Sequence, residues 1–105
     1  MEVIVSHHID CGERDENGMY EYCYEYDIYE FGKGNVSYMA RAYVDEPGDA
    51  HFLKMKGGGD HDWRTITERD KDDSLFKEAV KYLRSIGKSN IQQRFFWLAI
   101  AATGA

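Results

Sequence analysis

A chain of 105 residues with 43% hydrophobic and 30% charged content fits a single domain, residues 1–105, with room for one core and not for two. Net charge is −6 but uneven: residues 1–50 carry 12 acids against three bases, and residues 51–105 seven acids against ten bases. An acidic half of this kind argues against direct binding of nucleic acid and for partners of opposite sign.

The opening stretch MEVIVSHHID has no basic run ahead of its apolar residues, so it does not have the form of a secretory leader. The apolar run FFWLAIAA is eight residues long, against the ~20 that a membrane-spanning helix needs. No membrane association is expected, and a cytoplasmic location is. Cys11 and Cys23 are then expected as free thiols.

Alternation with period two predicts strands over 2–9, 19–31, 35–45 and 50–56. Asn17-Gly18 in DENG and Pro47-Gly48 in EPGD read as hairpin turns, the second of type II. Taking Gly32-Lys33-Gly34 as a three-residue loop sets Phe31 opposite Asn35. Ile28 then faces Tyr38, Tyr26 faces Ala40, Tyr24 faces Ala42 and Tyr22 faces Val44, large rings against mostly small side chains. In this register Tyr20, Tyr22, Tyr24 and Tyr26 wall the core. Glu25 meets Arg41 on the opposite, solvated face.

Gly57, Gly58 and Gly59 form a connection and not a phosphate loop, because Asp60 follows where a phosphate loop needs lysine and a hydroxyl. From Asp73 to Ile86 the apolar spacing is helical. Asp72 and Asp73 sit at the amino end, and Gly87 stands ready as a left-handed stop. Residues 90–103 are expected as a second helix, although RFFWLAI also fits a buried strand. The fold class is α+β: a four-stranded antiparallel N-terminal sheet with one or two C-terminal helices packed on one face.

The outer face of that sheet would carry Glu21, Glu25, Asp27, Tyr29, Arg41 and Tyr43, with Glu13, Asp15 and Glu16 of the first loop extending the negative surface. Tyr and Arg favour interfaces and acids steer basic partners, so the expected function is binding of a basic protein surface. By analogy of charge alone, inhibitor or immunity-type proteins use such a surface to fill a groove meant for phosphates.

The alternative is a metal-dependent or small-molecule enzyme built from His7 or His8, Asp10, Cys11 and the Asp60-His61-Asp62 loop. His7 and His8 would project to opposite faces of a strand, and no nucleophile motif appears, so neither a metal nor a cofactor is expected. A homodimer through the apolar run Phe95 to Ile100 is a further expectation.

Overall fold

The period-two stretches form an antiparallel meander, followed by one helix that returns the chain to the sheet edge. In the computed structural model, which describes residues 1–58 and 62–93, the strands are β1 (Glu2–Cys11), β2 (Cys23–Lys33), β3 (Val36–Tyr43), β4 (Asp49–Lys56) and β5 (Asn90–Gln93). A short 3-10 turn (Glu68–Asp72) leads into α1 (Ser74–Ser85). Sheet order follows chain order, with β1 to β4 antiparallel and β5 parallel to β4. Among the described residues the sheet is therefore five-stranded and mixed, where four antiparallel strands were expected.

The turns decide the registers. β2 and β3 meet through the two residues Gly34 and Asn35, and Gly34 takes φ +62° while Asn35 stays at negative φ, the φ pattern of a type II′ turn. A two-residue turn in place of a three-residue loop moves the pairing by three positions. Tyr26 now faces Tyr43, and Phe31 faces Tyr38. An odd shift reverses which residues of the two strands share a face, so the expected inward and outward sets of β2 exchange while those of β3 stay.

The core lies where that register puts it. Tyr29 and Phe31 of β2, Tyr38, Ala40 and Ala42 of β3, and Ala50, Phe52 and Met55 of β4 are buried against Leu75, Phe76, Ala79 and Leu83 of α1. Phe52 and Met55 share the inner face although three positions apart. A bulge makes this possible: Met39 pairs with Lys54 and Ala40 with Phe52, leaving Leu53 as the extra residue. The β3–β4 link is closed by Asp49 N–H donating to Glu46 C=O at 3.0 Å. Gly48 is not left-handed there, so the turn is not the type II expected.

Helix α1 starts and stops for local reasons. Asp73 caps it by accepting from Leu75 N–H at 3.3 Å, and it also accepts from the Tyr38 hydroxyl at 2.9 Å. One carboxylate thus ties the helix start to the sheet, and burial together with this hydrogen bond pushes the Tyr38 phenol well above its ordinary range. Gly87, at φ +98°, ends the helix. Its N–H donates to Arg84 C=O and that of Lys88 to Leu83 C=O, the paired bonds of a Schellman stop.

The chain then returns to the sheet, where Asn90 N–H reaches Gly48 C=O at 3.0 Å. Asn90–Gln93 is therefore a strand and not the beginning of a second helix. A parallel strand needs a crossover, and α1 supplies it. The remainder of the expected helix, and the apolar run Phe95 to Ile100, lie outside the described residues.

Ahead of α1, Arg64 clamps Asp70 through two parallel bonds of 2.9 Å, and Thr67 N–H adds a third at 2.7 Å. The guanidinium is the main reason the Asp70 carboxyl is lowered to about 2. A carboxyl depressed in the folded state adds stability above its unfolded pKa and loses it as pH falls through the folded one. Asp70→Asn is therefore expected to cost about 1–2 kcal/mol at neutral pH and almost nothing near pH 2, with the difference closing between about pH 4 and 2. Urea unfolding of both proteins across that range checks it.

Candidate functional site

Beyond Tyr29 the helix no longer covers the sheet, and β1 from Ile4 to Asp10 with Cys23 to Glu25 of β2 forms an arm exposed on both faces, half-buried at Tyr26 to Ile28. Its tip is a tight turn at Asp15 to Gly18. There the Asp15 carboxylate accepts from the N–H groups of Asn17 and Met19, both at 2.9 Å, and Gly18 takes φ +79°. Arg14 lies over the Tyr20 ring and donates to its hydroxyl at 2.9 Å. At the base of the tip Cys11 and Cys23 are directly opposed and their sulfurs are bonded, correcting the expectation of free thiols.

On the face away from the helix the rings form one continuous run. Tyr22 and Tyr24 have centroids 5.5 Å apart, Tyr24 and Tyr43 5.7 Å, Tyr43 and Tyr26 5.8 Å, and Tyr26 and His8 5.4 Å. Arg41 lies across this run, its guanidinium carbon 5.0 Å from the Tyr43 centroid and 5.7 Å from that of Tyr26. Its Nε is shut from solvent with no hydrogen-bond partner among the described residues, so the cation is held by the ring faces. Tyr22 and Tyr24 remain about half exposed, at 45% and 50%.

The other face of the arm holds a carboxylate pair around one imidazole. His7 Nδ1 is 2.6 Å from Asp27 Oδ1, and Nε2 is 2.7 Å from Glu25 Oε2. A neutral ring carries a single N–H, so two carboxylates on two nitrogens favour the imidazolium. Hydrogen bonding to Asp27, then to Glu25, raises the His7 pKa accordingly.

The residues expected on one outer face thus separate into four groups. Arg41 and Tyr43 do share the open face, but with Tyr24, Tyr26 and His8. Glu25 and Asp27 lie on the opposite face, and Glu25 holds His7 where a pair with Arg41 was expected. Tyr29, expected outside, is 7% exposed and packs against Phe31 and Tyr82. Glu13, Asp15, Glu16 and Glu21 are exposed at the arm's end, with Glu21 N–H bonded to Glu13 C=O at 3.1 Å. The tyrosines expected in the core wall are the surface of the arm. The readable signal was the turn pair Gly34-Asn35, whose two-residue length fixes the parity.

The described residues of the enzyme alternative are not brought together. Cys11 is taken by Cys23, both nitrogens of His7 face carboxylates, and His8 stacks on Tyr26 across the strand. Asp62 is exposed, and Asp60 and His61 lie outside the described residues. No group of three metal-ligating side chains converges among the described residues, and no helix among them is long and apolar enough to cross a membrane. Comparison with known proteins returns no matching family model, no matching curated protein and no matching solved structure.

Proposed function

We propose that this chain is a protein-binding module that uses its arm to dock on a basic protein surface, in the manner of an inhibitor or immunity-type protein. The observation that carries the reading is the solvent-facing run Tyr22, Tyr24, Tyr43, Tyr26 and His8 crossed by Arg41. Tyr and Arg supply rigid contact area at interface centres. The carboxylates at its borders, Glu13, Asp15, Glu16 and Glu21, with Glu25 and Asp27 behind, would steer a cationic partner and fix its orientation. Tyr20, Tyr22 and Tyr24 are 46%, 45% and 50% exposed along the arm, more aromatic surface than a strand without a partner ordinarily displays. The Cys11–Cys23 bond favours an oxidising compartment over the cytoplasmic location expected from the sequence.

The test is affinity capture from host lysate at low and high salt. A basic protein should be retained at low salt and released at high salt. Tyr24→Ala with Tyr43→Ala should weaken its binding at least about tenfold, and Glu13→Lys with Glu21→Lys should slow association and flatten the salt dependence. Circular dichroism controls for the fold. Capture that ignores the tyrosine pair refutes the reading.

A further inference from the structure

Strand β1 is the outer strand of the sheet, and all of it except Val3 and Cys11 is exposed. Ile4, Val5 and Ile9 are 57%, 50% and 65% exposed. Edge strands are ordinarily blunted by proline, lysine, a bulge, a short length or a covering element. EVIVSHHIDC has neither proline nor lysine, pairs with β2 without a break from Glu2 to Cys11, and is ten residues long.

The hydrogen-bond phase shows which backbone groups stand free. Val44 N–H donates to Glu25 C=O at 2.9 Å, so the odd-numbered residues of β2 bond β3. The even-numbered residues of β2 therefore bond the even-numbered residues of β1, as Gly12 N–H to Tyr22 C=O at 2.9 Å confirms at the strand's end. Val3, Val5, His7 and Ile9 consequently aim their N–H and C=O groups away from the sheet. A strand added there must bond these residues.

We propose that the chain forms a homodimer by antiparallel pairing of β1 with β1 of a second copy about a two-fold axis at Val5, joining two sheets into one. Odd-numbered residues must bond odd-numbered residues, so the axis falls on a residue and not between two, and within residues 1–11 the overlap is longest for axes at Val5, Ser6 and His7. An axis at Ser6 sets Glu2 against the partner's Asp10, twice. An axis at His7 sets that imidazole, already flanked by Glu25 and Asp27, against the partner's His7, and Ile4 against the partner's Asp10. An axis at Val5 instead sets Glu2 against the partner's His8, Met1 against the partner's Ile9, Val5 against the partner's Val5 and Val3 against the partner's His7, whose charge is met by Glu25 and Asp27 of its own chain. It alone opposes no like charges and matches apolar residues at the centre and ends. The surface differs from both the ring-bearing face and the C-terminal apolar run.

Analytical ultracentrifugation of the full chain over a concentration series tests the pairing. The wild type should show a concentration-dependent dimer. Val5→Lys, which places two ammonium groups at the axis, and His8→Glu, which opposes two carboxylates, should each raise the dissociation constant up to about tenfold. Adding Glu2→Lys to His8→Glu restores opposite charges and should recover dimerisation, although the stack of His8 on Tyr26 is lost in both variants. A monomer at every concentration, a dimer indifferent to Val5→Lys, or failure of the charge swap to rescue overturns the proposal.

Discussion

Replacing Phe52 with alanine is expected to destabilise the protein by about 3–5 kcal/mol, the range for removing a ring from a closed core. Phe52 is fully buried where sheet and helix meet, with ring centroids 4.7 Å from Phe76, 6.3 Å from Phe31 and 6.5 Å from Tyr38. The cavity would lie between the bulged strand and the helix, neither of which can close on it without losing the Ala40 to Phe52 pairing or the Asp73 link to Tyr38. A domain of this size holds roughly 5–15 kcal/mol in total, so a fifth or more of its stability goes with one side chain. Urea unfolding should show a lower midpoint with an unchanged slope.

Tyr24→Ala is the informative companion. In the three-residue-loop register Tyr24 walls the core and its loss would rival that of Phe52. In the two-residue-turn register it is half exposed and its loss should fall within about 0.5 kcal/mol. Equal losses at the two positions would restore the tyrosine wall and remove the arm as a binding surface.

What the sequence reveals follows the range of the interactions involved. Helix α1 is legible almost to the residue, expected over 73–86 and found over Ser74–Ser85, because its start and stop depend on Asp73 and Gly87 within one turn of the chain. The four strands of the meander are legible as elements for the same reason. Their facing is not, since two overlapping turns, Gly32-Lys33-Gly34 and Gly34-Asn35, differ in parity and either satisfies local chemistry.

The alternation of tyrosine and acid along 20–27 gave no help, because that part of the strand has no covered face and its pattern does not report on the helix. The aromatic positions do change phase, from even at Tyr26 to odd at Tyr29 and Phe31, at the point where the helix begins to cover β2. β5 escapes for another reason: four residues are too few for a period, and only pairing with Asp49 to Phe52 makes them a strand. Arg41 and Tyr43 share a face as expected because they lie two apart on one strand. Glu25 and Asp27 fall on the opposite side from the one expected, because their facing depends on the parity of the turn.

Cleaving the Cys11–Cys23 bond, with reductant or by replacing both cysteines with serine, should carry the second large effect. The bond closes a loop at a sequence separation of 12. Removing such a crosslink returns conformational freedom to the unfolded chain and costs about 3 kcal/mol in the chain-entropy account. The loop is otherwise held by backbone bonds from Gly12 to Tyr22, Glu21 to Glu13 and Asp15 to Met19, the Asp15 turn and the Arg14 contact with Tyr20, all without a buried core beneath.

The loss should therefore show first in the arm. Amide exchange at Gly12, Asp15 and Glu21 should accelerate, while the inner strands around Phe52 exchange only through the smaller global stability. Tyr22 would lose its place beside Tyr24, so capture of a basic partner should fall in parallel with arm order. Thiol titration of the unfolded, unreduced protein supplies the decisive control. Two reactive thiols there, or a urea midpoint unmoved by reductant, would mean that the arm is held by its turn and ring contacts alone.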